Sequence, residues 1–125
     1  MQDLMCAMDA LIFCRFSQIG KAVTVTNHVD WINMITDWGV DIPSYMKLGE
    51  RIFNLKRMVN VRLGTSRKDD FLPYRFLTLN RTGEDLTNQL PPMGRLLSDY
   101  YGCRGWSEDG IPTPEKLKEL GLDTL

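Results

Sequence analysis

Histidine and cysteine are scarce in this chain of 125 residues, which contains one histidine, His28, and three cysteines. Cys6, Cys14 and Cys103 are widely spaced, and their odd number is not a disulfide framework. No C-x-x-C pair and no Cys–His cluster is present, so the chain cannot build a four-ligand thiolate site by itself. This use of cysteine predicts a reducing compartment.

Long hydrophobic runs and a strong net charge are also missing. The longest uncharged apolar stretch, about residues 10–13, is far too short to span a bilayer. The first ten residues carry acids where a signal peptide would have basic residues. A net charge of -1 gives no overall attraction for nucleic acid. We therefore predict a cytoplasmic protein that has neither a membrane nor a nucleic acid as its partner.

Apolar residues recur at spacings of three and four in several segments, which is the pattern of helices with one buried face. Residues 3–13 form the first predicted helix. Asn27 is a suitable N-cap for a second helix over residues 28–38. The longest predicted helix covers residues 43–63 and has an apolar stripe that is expected to be buried, formed by Tyr45, Leu48, Ile52, Leu55 and Val59.

Two shorter helices are predicted towards the C-terminus. One covers residues 92–101, and the other begins at Pro114, with Thr113 as its N-cap. Residues 65–76 are predicted to be an ordered loop, and residues 78–90 a polar surface excursion. No segment predicts a sheet, so the expected fold class is all-α: an irregular bundle of about five helices with long loops.

Basic residues are concentrated in the longest predicted helix and just beyond it, at Arg51, Lys56, Arg57, Arg62, Arg67 and Lys68. Such a cluster could bind an anion or nucleic acid. The favoured interpretation is a solvated helix face whose basic end suits the helix macrodipole. The three tryptophans are predicted to lie in the core or at an interface, with a few apolar residues facing a partner.

The single histidine and the cysteines leave several interpretations open. His28 has no identifiable nucleophile partner, so it is predicted to be a partly exposed polar residue. Cys6 and Cys103 are predicted to be small buried packing residues. Cys14 lies where the first predicted helix stops, within MDALIFCRFS at residues 8–17. From the residues alone, Cys14 is either a packed thiol or a ligand whose companions lie elsewhere.

Three stretches in this order resemble the C-terminal part of the tungsten-containing aldehyde ferredoxin oxidoreductases. They are GERIFNLKRMVNVRLG (49–64), SRKDDFLPYRF (66–76) and DYYGCRGWSEDGIPTPEKLKELGL (99–122). The resemblance covers most of the chain and is weak only in residues 17–40 and 77–98. It implies that residues 1–125 form a C-terminal-like helical domain of an oxidoreductase that acts on aldehydes, with ferredoxin as electron acceptor.

The resemblance also implies a role for the end of the first helix. Members of the family carry a D-x-x-G-L-C motif there, which lines a bis-pterin tungsten or molybdenum cofactor. Its cysteine is the fourth ligand of a [4Fe-4S] cluster, and the other three ligands come from a C-x2-C-x3-C run in the preceding domain. Asp9 and Cys14 match the motif. Asp9, Phe13 and Cys14 are the predicted cofactor-binding residues, and Cys14 is also the predicted metal ligand. Ile12 replaces the family's glycine, and Phe13 replaces its leucine.

The chain begins only eight residues before Asp9. The resemblance therefore predicts a C-terminal domain, present as a fragment or as a separate subunit, whose partners are the absent N-terminal and middle domains and ferredoxin. Such a chain is expected to be inactive alone, and no catalytic residue is predicted in it. The alternative is a helical interaction module or degenerate fragment without redox chemistry. The presence of Ile12 and Phe13 in place of the motif's glycine and leucine favours this alternative. A thiol switch between Cys6 and Cys14 is a third alternative, although the two lie roughly 12 Å apart along a helix.

Overall fold

Helices dominate the parts of the chain that the structure describes, residues 1–20, 22–79 and 90–124 without the side chain of Ile19. In this computed structural model the described residues form seven α-helices: α1 (Gln2–Ala10), α2 (Phe16–Ile19), α3 (Val25–Thr36), α4 (Ile42–Arg62), α5 (Tyr74–Thr78), α6 (Met93–Arg104) and α7 (Pro114–Glu119). Extended pairing within the described residues is limited to one isolated antiparallel bridge, between Trp106 and Pro112. The all-α prediction is confirmed, and α2 and α5 are short helices that it did not include.

Capping interactions place α3 earlier in the chain than the sequence predicted. The Thr24 N–H donates to Asn27 Oδ1 over 2.8 Å, so Asn27 is the third helical residue of a capping box and not the N-cap. At the other end Asp37 adopts the left-handed conformation, with φ +56°, and the helix stops at Thr36. The predicted end at Trp38 is therefore two residues too late.

The bounds of α4 and α7 agree with their predictions because the local signals there are strong. Asp41 Oδ1 accepts the Ser44 N–H over 2.8 Å at the start of α4. Thr113 Oγ1 accepts the Lys116 N–H over 3.3 Å at the start of α7. The predicted loop at residues 65–76 contains a 3-10 turn, Arg67–Asp69, and the beginning of α5. Of the predicted surface excursion at residues 78–90, residues 80–89 lie outside the described part of the chain.

The chain divides into two compact units, and the first contains Met1–Arg57 and Leu117–Leu125. Its core consists of buried side chains from α1, α3 and α4: Leu4, Ala7, Met8, Val29 and Tyr45. α1 lies directly on the backbone of α4 at Gly49, where a Cβ would overlap the Asp3 carbonyl oxygen. This close approach positions α1, and with it the residues that follow α1.

Much of the predicted apolar stripe of α4 is exposed. Tyr45 is 1% exposed, whereas Leu48 is 43% and Val59 is 50% exposed. The other buried positions of the helix are taken by residues with little or no apolar side chain or with a charge: Gly49, Asn54 and Arg57. The periodicity found the apolar face of the helix, but the prediction that this face is buried is wrong for Leu48, Leu55 and Val59, and Ile52 is only half-buried.

The second unit, Met58–Lys116, is organised around the side chain of Arg67. Arg67 Nη1 donates to Glu108 Oε2 over 2.7 Å and to the Glu108 carbonyl over 3.1 Å. Arg67 Nη2 donates to the Gly94 carbonyl over 3.0 Å and to Ser98 Oγ over 3.2 Å. The guanidinium also lies 5.3 Å from the ring centroid of the buried Tyr101. One arginine thus links the segment after α4 to both ends of the unit's longest helix, α6.

The predicted solvated basic face is wrong for two of its six residues. Arg57 is buried, with 8% exposure, and the Arg67 side chain is only 28% exposed. The six residues are also divided between the two units. Among the described helices, none combines the length and the apolar composition that crossing a membrane requires.

Candidate functional site

A Schellman motif ends α1 and leads directly to Cys14. The Phe13 N–H donates to the Met8 carbonyl over 3.0 Å, and the Ile12 N–H donates to the Asp9 carbonyl over 3.2 Å. In this motif the residue that donates the shorter-range hydrogen bond adopts the left-handed conformation, and Ile12 does so with φ +59°. The turn brings Phe13 back against the core of the first unit.

Ile12 is an unusual residue for this position, which glycine normally occupies. A left-handed conformation costs a residue with a Cβ about 1–2 kcal/mol, and branching at Cβ makes it worse. The Ile12 side chain is 92% exposed, so its own burial does not offset the strain. The backbone therefore keeps the conformation that a glycine would favour, although the side chain has changed.

Replacing Ile12 with glycine should stabilise the chain by about 1 kcal/mol, which is the strain removed less the greater unfolded-state freedom of glycine. The expected rise in thermal midpoint is a few degrees, measured by circular dichroism. Leu11→Gly is the matched control, because Leu11 precedes it at φ -96° and glycine there should destabilise. Destabilisation of similar size in both variants would contradict the strain at Ile12.

The side chain of Phe13 packs against the ring of His28. The two rings stack with centroids 4.6 Å apart and an interplanar angle of 16°. His28 is fully buried, its Nδ1 lies 3.3 Å from Tyr45 Oη, and its Nε2 has no hydrogen-bond partner in the described structure. The prediction of a partly exposed His28 is wrong, because α3 begins three residues earlier and His28 lies within it beside Val29.

Burial lowers the pKa of His28 because it disfavours the imidazolium. The unfolded chain therefore takes up the proton first, and stability should fall as the pH drops below about 6.5, the value for an unperturbed histidine. His28 is the only histidine, so His28→Phe should remove most of the fall in thermal midpoint between pH 7.5 and 5.5. An equally steep fall in the variant would show that another group is responsible.

Asp9 and Arg15 form an exposed ion pair across the turn. Arg15 Nη2 donates to Asp9 Oδ2 over 2.6 Å, and Arg15 Nε donates to Asp9 Oδ1 over 3.1 Å. The hydrogen bonds from the Arg15 guanidinium lower the pKa of Asp9, and Asp9 in turn raises the pKa of Arg15. Each carboxylate oxygen of Asp9 thus accepts one hydrogen bond from Arg15 and retains a lone pair that can accept another.

The thiol of Cys14 is exposed and free. The Cys14 carbonyl accepts the Ser17 N–H over 3.1 Å and the Ser17 hydroxyl over 2.6 Å, at the start of α2. Hydrogen bonds therefore hold the backbone on both sides of Cys14, which presents the sulfur from a rigid segment. Within the described residues the Cys14 thiol is therefore not packed in a core, and a single thiolate ligand of an iron–sulfur cluster would need an accessible sulfur of this kind.

The other two cysteines differ from each other. Cys6 is buried, as predicted, and its Sγ lies 4.0 Å from Lys56 Nζ. Cys103 is exposed, so the prediction that it is a buried packing residue is wrong. Within residues 1–20, 22–79 and 90–124, no three His, Cys, Asp or Glu side chains lie close enough together to hold a metal ion.

A cavity of about 300 Å³ lies beside the ion pair and is lined by Met1, Gln2, Met5, Cys6, Asp9, Arg15, Phe53 and Lys56. Lys56 and Asp9 line the same cavity, and the positive charge of the Lys56 ammonium group helps to lower the pKa of the Asp9 carboxyl. Sequence reasoning did not connect Lys56 with the site, because 47 positions separate the two residues and only the packing of α1 on α4 brings them together. The predicted residues Asp9, Phe13 and Cys14, by contrast, lie on one turn.

Comparison with known proteins extends over nearly the whole chain. Residues 1–122 match the family described as aldehyde ferredoxin oxidoreductase, domains 2 and 3. The chain is 37% identical over 123 residues to the tungsten-containing aldehyde ferredoxin oxidoreductase of Pyrococcus horikoshii and 36% identical to that of Pyrococcus abyssi, in each case over 98% of this chain. The Pyrococcus furiosus enzyme is 34% identical over 97% of the chain.

The chain spans about a fifth (20%) of the length of these relatives. The match includes the turn at Asp9, Phe13 and Cys14 together with all the helices described above. A sequence match of this extent shows that the chain belongs to the aldehyde ferredoxin oxidoreductase family.

Proposed function

We propose that this chain is the C-terminal part of a tungsten or molybdenum pterin aldehyde:ferredoxin oxidoreductase, with residues 1–125 as one C-terminal-like helical domain. In this role Cys14 supplies one ligand to a [4Fe-4S] cluster. The observation that carries the proposal is the exposed Cys14 thiol, held on a hydrogen-bonded turn at the cysteine position of the family motif. The relatives' names supply the metal, the aldehyde substrate and the ferredoxin acceptor.

Each residue of the turn has a distinct part in this proposal. Cys14 provides a thiolate, the ligand type that iron–sulfur clusters use. Arg15 adds a positive charge next to that thiolate. Asp9, ionised by its pairing with Arg15, offers carboxylate oxygens to the N–H groups of a pterin. Phe13 stacks on the buried His28 and so fixes the turn against the core of the first unit.

The bound cluster would carry single electrons between the pterin-bound metal and ferredoxin. The chain's own contribution is structural: it fixes the direction of one thiolate and keeps an arginine beside it. The other three thiolates come, in this proposal, from the part of the family polypeptide that this chain does not span.

The alternative of a helical module without redox chemistry was suggested by the replacement of the motif glycine with Ile12. The left-handed backbone at Ile12 weakens that alternative, because the turn that presents Cys14 is retained without the glycine. The change leaves an additional apolar side chain beside the thiol, but it does not alter the hydrogen bonds that hold the turn.

Cys14→Ser should abolish or convert the cluster when the chain is co-expressed with the rest of a family polypeptide, because an oxygen ligand is a poor replacement for a thiolate on iron. The readouts are iron content, low-temperature electron paramagnetic resonance of the reduced protein, and aldehyde-dependent reduction of a dye. Cys103→Ser is the matched control, since this thiol is also exposed and free but lies in the second unit. A wild-type cluster signal in Cys14→Ser would refute the ligand assignment.

A further inference from the structure

An open apolar groove lies beside the turn that carries Cys14. We call it the α3 groove, and its volume is about 380 Å³. It is lined by Leu11, Phe13, Trp31, Ile32, Ile35, Thr36 and Trp38. Ile35 is 83% exposed and Trp38 is 74% exposed, values that are high for large apolar side chains. An exposed patch of this kind normally marks a surface that another molecule covers.

The chemistry of the α3 groove favours an apolar occupant. No charged side chain is among the described residues that line it, and the Thr36 hydroxyl already donates to the Ile32 carbonyl over 2.8 Å. The remaining donors are the indole N–H groups of Trp31 and Trp38. Exposed tryptophans beside an apolar pocket are typical of the centre of a protein–protein interface, where one large side chain of the partner fills the pocket.

The position of the α3 groove narrows the choice of partner. Phe13 lines the groove and Cys14 follows it directly in the chain, so a polypeptide that supplies further cluster ligands to Cys14 comes close to the groove. A second copy of the present chain would bring only one more Cys14, and four thiolates are needed for a [4Fe-4S] cluster. The relatives are about five times as long as this chain, which leaves ample polypeptide to cover the groove (20% of their length is matched).

We propose that the α3 groove receives one large aliphatic or aromatic side chain from the polypeptide that supplies the other three cluster thiolates. This docking orients that polypeptide against Cys14. The inference rests on the proposed function, because that function identifies the partner. It goes further in assigning the contact to the face of α3 and in giving the chemistry of the residue that fills it.

The test uses the Pyrococcus horikoshii enzyme expressed without the fifth of its length that this chain matches. It is co-expressed with the tagged chain, and the molar ratio of the two purified polypeptides is measured. The enzyme's own matching fifth, tagged in the same way, shows that the truncated enzyme is competent to bind. We expect near-equal recovery with the wild-type chain and at least a tenfold loss with Ile35→Glu or Trp38→Glu.

Two control variants separate docking from the ligand assignment. Thr26→Glu places the same charge at an exposed position in the first turn of α3 and should bind like the wild type. Cys14→Ser is scored by iron content alone, because it removes a ligand of a cluster that bridges the two polypeptides. Loss of iron in Cys14→Ser therefore tests the cluster, whereas loss of the complex in Ile35→Glu tests the groove.

A second measurement requires no partner. The uncharged dye N-phenyl-1-naphthylamine should fluoresce several-fold more strongly with the wild-type chain and Thr26→Glu than with Ile35→Glu. Circular dichroism should show the same helix content in all three.

Three results would overturn the proposal. One is wild-type recovery of Ile35→Glu and Trp38→Glu. Another is failure of the wild-type chain to bind when the enzyme's own fifth does bind. The third is a homodimer of the chain, seen by sedimentation, that Ile35→Glu dissociates, since the occupant would then be a second copy.

Discussion

Gly49→Ala should destabilise the first unit by about 3 kcal/mol or more, because the added methyl group has no space where α1 crosses α4. Its Cβ would overlap the Asp3 carbonyl oxygen and lie 2.6 Å from the Asp3 carbonyl carbon. Both obstacles are backbone atoms, so a side-chain rotation cannot relieve the clash. The change is measured by urea denaturation followed by circular dichroism at 222 nm.

Gly102→Ala is the matched control for this prediction. Gly102 also lies inside a helix, α6, and a Cβ there would meet nothing within 4 Å. Alanine should therefore stabilise that helix by about 0.5–1 kcal/mol through its higher helix propensity. If Gly49→Ala were as stable as the wild type, α1 would not lie directly on the backbone of α4, and the position of Cys14 would rest on other contacts.

Arg67→Ala should cost the second unit about 2–3 kcal/mol. The substitution removes the hydrogen bonds to Gly94, Ser98 and Glu108 and the contact with the Tyr101 ring. The ion pair with Glu108 adds little to this figure, because the Glu108 side chain is 76% exposed. Arg67→Lys should recover less than half of the loss, because an ammonium cannot reproduce the forked donors of a guanidinium.

The neighbouring Lys68→Ala provides the control for charge, since Lys68 is exposed and its replacement should change stability by no more than about 0.5 kcal/mol. The free energies of unfolding are compared by urea denaturation, with the fluorescence of Trp106, in a background in which Trp31 and Trp38 are replaced by phenylalanine, as a probe of the second unit. Equal effects of Arg67→Ala and Lys68→Ala would mean that the hydrogen bonds of Arg67 do not stabilise the unit.

Local signals in the sequence determined the all-α class, the bounds of α4 and α7, and the place of Cys14 shortly after the first helix, although α1 ends at Ala10 and not at the predicted residue 13. These features depend on capping residues, proline, glycine and the spacing of apolar residues, all of which act within a few positions of the chain. The match of Asp9 and Cys14 to a family motif depended on the resemblance, which the comparison over residues 1–122 supports at the level of the family.

Tertiary packing alone decided which polar and apolar side chains are buried. His28 is enclosed by Phe13 and Tyr45, and its burial depends on residues far away in the sequence. The exposure of Ile35 and Val59 follows from the absence of a covering element among the described residues, a property that helical periodicity does not contain. The left-handed conformation of Ile12 has the same origin, because the packing of Phe13 against the core favours the turn even though isoleucine resists it.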